Sequence, residues 1–201
     1  GSMDKLEILR HYFGHNTFRG GQAEIIDALL AGRDALAIMP TGGGKSLCYQ
    51  VPALLLPGIT LVISPLISLM KDQVSALTAS GVPAAYINSS LSSEQLRSVY
   101  RKLRQGMYKL VYVAPERLMG DGFLSLCQSI DLSLVAVDEA HCISQWGQDF
   151  RPSYLKITDF LARLPRRPVL AAFTATATEA VRTDILRALA LRDPKSEAKR
   201  S

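Results

Sequence analysis

The sequence predicts an α/β domain with a mostly parallel central sheet and helices on both faces. Three observations carry that prediction. Short apolar runs of strand character alternate with helical patterns along the chain. Several of these runs lack polar alternation, as strands do when both their faces are covered. A glycine-rich turn, Met39-Pro40-Thr41-Gly42-Gly43-Gly44-Lys45-Ser46, sits between one such run and the helix that follows it.

In chain order, Leu6, Ile8, Leu9 and Phe13 mark a first amphipathic helix that ends near Gly14. A polar stretch from His15 to Gln22 leads into a second helix carrying Ile25, Ile26, Leu29 and Leu30, which Gly32 stops. Residues 35–38 form the first core strand and 47–54 the helix after the glycine turn. Strands are expected at 60–63, 84–87, 110–113, 134–137 and 169–173. Helices are expected over 66–77, from a cap at Ser92 or Ser93 to Leu103, and over 179–189. No internal repeat or low-complexity linker interrupts the pattern.

The glycine turn points to phosphate chemistry. Between a strand and a helix, Thr41, Gly42, Gly43 and Gly44 leave backbone N–H groups free to cradle an anion at the positive helix end. Lys45 then reaches the β/γ-phosphates, and the Ser46 hydroxyl is a ligand for Mg²⁺. Met39 stands where the usual pattern begins with glycine. A second site element follows the strand at 134–137, in Asp138-Glu139-Ala140-His141. Carboxylates at that strand end face the phosphate loop across the carboxyl edge of the sheet. Asp138 is expected to hold Mg²⁺ through its water shell, and Glu139 to orient the attacking water.

Two further stretches are less one-sided. Thr174, Thr176 and Thr178 end another apolar strand, where they could bond the acid cluster, and Thr178 is also a natural cap for the last helix. Gln145, Trp146, Gln148, Phe150, Arg151 and Tyr154 fall in one polar stretch broken by Gly147 and Pro152. Aromatics beside an arginine suit base stacking and phosphate contact on a single strand. A loop pinned to the core by its aromatics is the alternative.

Composition bounds the partners. The chain has 201 residues and a net charge of +5, which suits a polyanionic partner without requiring one. Cys48, Cys127 and Cys142 have no zinc-ligand spacing and read as reduced thiols. No apolar run reaches membrane-spanning length. Gly1-Ser2 before Met3 has the look of a cleaved tag, so residues 1–3 are set apart, 4–194 form the domain, and 195–201 read as a polar basic tail.

Together these residues resemble the first RecA-like motor domain of the RecQ-family DNA helicases of superfamily 2. MPTGGGKSLCYQ, SPLISLMKDQV, APERL, DEAHCISQWG, DFRP and FTATAT occur in family order, from about Leu6 to about Pro194. The resemblance implies that FGH and FRGGQ recognise adenine. In that motif His15 stacks on the base, Gln22 reads its edge and Arg19 contacts the nucleotide. It implies that 144–152 is an aromatic-rich loop coupling DNA contact to ATP hydrolysis. Mg²⁺ and ATP are the implied cofactors, and single-stranded DNA and duplex junctions the implied partners. Unwinding in the 3′-to-5′ direction, roles in recombination and repair, and a cytoplasmic, nucleoid-associated or nuclear setting follow from the same source.

A complete member of that family continues past the position of Pro194 into a second motor domain that supplies an arginine finger. The expectation for this chain alone is therefore binding of ATP and DNA without duplex unwinding. The family usually has histidine at the position of Gln148 and an acid at that of Ser153. Two other functions fit the same residues: a non-unwinding module that binds nucleotide or DNA and regulates a helicase, and a P-loop ATPase acting on protein partners.

Overall fold

The computed structural model describes residues 2–40, 44–120, 122–176 and 178–198. The chain runs α1 (Lys5–Phe13), α2 (Gln22–Leu30), β1 (Ala35–Ile38), α3 (Leu47–Leu55), β2 (Ile59–Ile63) and α4 (Ile67–Ala79). It continues with β3 (Ala84–Ile87), α5 (Ser93–Arg104), β4 (Leu110–Val113), α6 (Phe123–Ser129) and β5 (Leu132–Val137). α7 (Leu155–Ala162), β6 (Val169–Thr174), α8 (Glu179–Ala188) and β7 (Lys195–Ala198) complete it. The strands form one seven-stranded sheet in the order β3-β4-β2-β5-β6-β1-β7, and every pairing is parallel.

Alternation along each strand divides the interior into two layers. Leu61, Ile63, Val135, Val137, Leu170 and Ala172 face one side, where Tyr100, Phe123, Phe160 and Ile185 cover them. Val62, Leu134, Ala136, Ala171 and Phe173 face the other, against Ile25, Leu29, Cys48, Ala53, Met70 and Leu77. α1 adds a smaller cluster in which Ile8 and Leu9 meet Ile26 and Val51. Being covered on both faces is why the central strands read as unbroken apolar runs.

Local signals explain the helix ends. Asp4 and Glu7 form a reciprocal capping box on α1, as Ser92 and Gln95 do on α5. Thr178 accepts from the Val181 N–H at the start of α8, the capping role anticipated for it. α6 and α7 were not anticipated, and neither carries a side-chain cap.

One boundary needs correction. Residues 195–201 read as a tail, yet Lys195–Ala198 form β7 beside β1, with Ala35 opposite Lys195 and Leu36 opposite Ser196. The Lys195 N–H donates to the Asp34 carbonyl over 2.8 Å to begin this pairing. An edge strand with one neighbour is held by its backbone, so it needs no apolar pattern to announce it.

Candidate functional site: a nucleotide cleft at the sheet edge

β1 delivers the chain to the carboxyl edge between β6 and β7. Met39, in place of the first glycine, is 1% exposed, packs in the core with Cys48, and donates its N–H to Thr174 O over 2.9 Å. Thr41, Gly42 and Gly43 lie outside the described residues. Gly44 has φ 77, and a Cβ there would lie 2.5 Å from the Gln22 amide nitrogen. That nitrogen donates to the Gly44 carbonyl over 2.9 Å, while Gln22 Oε1 accepts from the Arg19 N–H over 2.8 Å. Gln22 is 3% exposed and thus braces the phosphate loop from α2. The side chains of His15 and Arg19 are exposed.

Across the cleft, β5 ends in the acid pair. Lys45 Nζ lies 2.8 Å from Asp138 Oδ1 and 3.2 Å from Glu139 Oε1. Burial alone would lower the Lys45 pKa. The charges and hydrogen bonds of Asp138 and then Glu139 outweigh that and hold it above its ordinary value. Glu139 occupies the left-handed region at φ 50, ψ 46, and its N–H donates to Asp138 Oδ1 over 3.0 Å. Its other oxygen, Oε2, lies 3.5 Å from His141 Nε2. His141 Nδ1 in turn lies 2.9 Å from Thr174 Oγ1 at the end of β6. The anticipated contact between the threonine strand end and the acid segment thus runs through Thr174.

Ser46 and Gly44 join Lys45, Asp138 and Glu139 around a cleft of about 360 Å³. Its far wall is Leu66, Leu69 and Met70 with Tyr49, Gln73 and Tyr112. The last two belong to a buried network in which Gln50 donates to Gln73 Oε1 at 2.7 Å and to Tyr112 Oη at 2.9 Å. A hydroxyl and a carboxylate on one cleft form an oxygen donor set of the kind Mg²⁺ takes. Lys45 is the cation of this cleft and is paired with both acids.

The loop after the acid pair is anchored and partly free. Trp146 is 77% exposed, and Gln145 and Gln148 are exposed too. Phe150 and Arg151 are half-buried, and Arg151 pairs with Asp149 over 3.3 Å. Tyr154 belongs with the pinned alternative: it is 0% exposed and donates its hydroxyl to the Asp138 carbonyl over 2.6 Å. Sequence reasoning offered this anchor only as an alternative, and missed the network of Gln50, Gln73 and Tyr112. A Tyr inside the apolar run of β4 was the available signal for the last.

By fold and site the chain is a RecA-like P-loop domain: a parallel sheet whose carboxyl edge holds the phosphate-loop lysine against a strand-end acid pair. Residues 19–184 match the family model of the DEAD/DEAH box helicases, and the chain belongs to that family. It is 53% identical over 189 residues to the "ATP-dependent DNA helicase RecQ" of Pasteurella multocida, covering 94% of this chain and 30% of that protein. To the protein of the same name from Bacillus subtilis it is 55% identical over 183 residues, covering 90% of this chain and 31% of the relative. The chain thus spans about a third of the length of these relatives. Among solved structures, a hypothetical ATP-dependent RNA helicase from Sulfolobus tokodaii superposes with a TM-score of 0.73 at 22% identity, covering 96% of this chain and 56% of that one. The DUF1998 helicase MrfA bound to DNA gives a TM-score of 0.77 at 17% identity, covering 98% and 29%. Both show the fold. No helix among the described residues is long and apolar enough to cross a membrane.

Proposed function

We propose that this domain is the first motor lobe of a RecQ-type, 3′-to-5′ DNA helicase that hydrolyses Mg-ATP and acts in recombination and repair. The observation that carries the proposal is the position of Lys45 between Asp138 and Glu139. A phosphate-loop lysine held against two strand-end carboxylates serves phosphoryl transfer, where positioning and charge stabilisation do the work. Ser46 and Asp138 would hold Mg²⁺, which supplies charge neutralisation of the phosphates. Glu139, held at one oxygen by Lys45 and faced at the other by His141, is the group to orient a water. Gly44, with the neighbouring Thr41, Gly42 and Gly43, would bind phosphate, and His15, Arg19 and Gln22 the adenine side.

Single-stranded DNA is the proposed second ligand, met by Gln145, Trp146, Gln148, Phe150 and Arg151. The exposed indole of Trp146, with Phe150 and the cation of Arg151 later in the same loop, supports stacking and phosphate contact. Unwinding would need the second lobe, so this chain alone is expected to bind without separating strands.

Titration of a fluorescent ATP analogue tests the site. Lys45→Ala should weaken binding roughly tenfold to a hundredfold, the size of a lost charge-assisted contact. Equal affinities in the two proteins would remove the nucleotide site from this cleft.

A further inference from the structure

The aromatic loop is held by a residue outside every motif that identifies the site. Ser144 is fully buried, and its hydroxyl donates to Asp184 Oδ2 on α8 over 2.6 Å. The same oxygen accepts from the Trp146 N–H over 3.2 Å. A hydroxyl has one proton, so giving it to the carboxylate leaves its lone pairs for the Trp146 amide. The chain of bonds runs one way, from the Trp146 N–H through Ser144 to the Asp184 carboxylate. Bonds linked in this way polarise one another.

A second contact comes from the preceding turn of the same helix. A Cβ on Gly147 would lie 3.1 Å from the His141 carbonyl, 3.4 Å from that of Ser144 and 3.7 Å from Val181 Cγ2. The loop therefore turns tightly against α8 at Gly147 as well as at Ser144. Its far end is closed by the Arg151 N–H donating to Cys142 O over 2.9 Å. Between these fixings only residues 145–150 project. α8 is itself rooted in the core by Val181 and Ile185, on either side of Asp184.

We propose that Asp184 is a positioning residue, which through Ser144 sets the base of the aromatic loop and so holds Trp146 ready for a single strand. Its consequence for DNA rests on the function proposed above; the tether itself does not. Without Asp184 the Ser144 hydroxyl loses its acceptor, the Trp146 amide loses a polarised partner, and the projecting segment gains freedom.

Trp146 is the only tryptophan of the chain, so its fluorescence reports the loop directly. The experiment measures Trp146 anisotropy and acrylamide quenching in Asp184→Ala, Ser144→Ala, the double variant and Asp184→Asn, with a labelled oligonucleotide titrated into each. Asp184→Ala and Ser144→Ala should each lower the anisotropy, raise quenching and weaken oligonucleotide binding about threefold to tenfold. The double variant should be no worse than either single one, since both break the same link. Asp184→Asn, which keeps an acceptor oxygen, should stay near the parent, and Asp184→Ala should keep the parent affinity for the ATP analogue. Unchanged Trp146 anisotropy in Asp184→Ala, or additive effects in the double variant, would overturn the tether. Should Asp184→Ala fail to fold, Ser144→Ala against Asp184→Asn carries the same comparison. A parent chain that binds no oligonucleotide would count against the DNA function alone, and the anisotropy would still decide the tether.

Discussion

Tyr154 holds the backbone of Asp138: its buried hydroxyl donates to the Asp138 carbonyl over 2.6 Å, from sixteen residues further along the chain. The aromatic stretch thus ends in a residue that fixes the acid segment where it started. Tyr154→Phe keeps the ring in the core and leaves that carbonyl without its partner. The expected cost is about 1–3 kcal/mol, read as a lower midpoint in urea unfolding. Oligonucleotide binding should change little, because Tyr154 offers no surface to DNA. An unaltered midpoint would mean that the bond contributes nothing net.

At Gly44 two constraints coincide. The backbone is left-handed, and the Gln22 amide occupies the space of a side chain. Gly44→Ala carries about 1–2 kcal/mol of backbone strain and pushes Gln22 off the loop. Calorimetric titration with the ATP analogue should show roughly tenfold weaker binding. Adding Gln22→Ala should not restore it, since removing the obstacle leaves the strain.

How far the sequence foretold this site depends on where each partner lies. The glycine turn and the strand-end acids carry their chemistry in adjacent residues, and the structure brings Lys45 to both acids. Asp184, Asp34 and Tyr154 bond across 40, 133 and 16 residues, so nothing beside them in the chain signals a partner. The helices tell the same story. α5 carries a capping box and was legible, whereas the seven-residue α6 starts at a left-handed glycine and α7 continues directly from a turn at Pro152. Packing against Tyr100 and Phe123 fixes those two elements. β7, polar but for Ala198, could be found only from its neighbour.

The buried thiols predict a pH dependence. Burial pushes both Cys127 and Cys142 up from 9.0 to about 12, with the nearby Asp149 charge adding to the rise at Cys142. In the unfolded chain these thiols ionise near their ordinary value, so above it the unfolded state binds fewer protons than the folded one. The stability they confer is whole below about pH 9 and falls as pH rises toward about 12. Urea midpoints should therefore decline over that range, and less steeply in Cys127→Ala. A parallel decline in the parent and the variant would assign the loss to other groups.

Asp34 secures the end of β1 remote from the cleft. It is 2% exposed and accepts from Arg167 at 2.6 and 3.2 Å and from the N–H groups of Leu170 and Arg192 at 3.0 and 2.6 Å. Asp34→Ala takes the carboxylate from Arg167, which keeps its bonds to the Pro168 and Ala190 carbonyls, and strands two amides, a loss of about 3–5 kcal/mol. Unfolding in urea should show it, while affinity for the ATP analogue below the transition should hold. A drop in affinity without a drop in stability would contradict this division.

On the proposed function, the pairing of Lys45 with Asp138 and Glu139 would also make nucleotide arrival an exchange of partners. Before a phosphate can claim the ammonium, a contact of 2.8 Å inside the protein must be given up. Measured affinity is then the difference between two attractions of similar kind, not the strength of the new one alone. The acids would meanwhile lose their ammonium partner beside a triphosphate that is itself anionic, so the compensating charge would fall to the accompanying Mg²⁺. On that reading, occupancy and the exposure of the carboxylates would be one event.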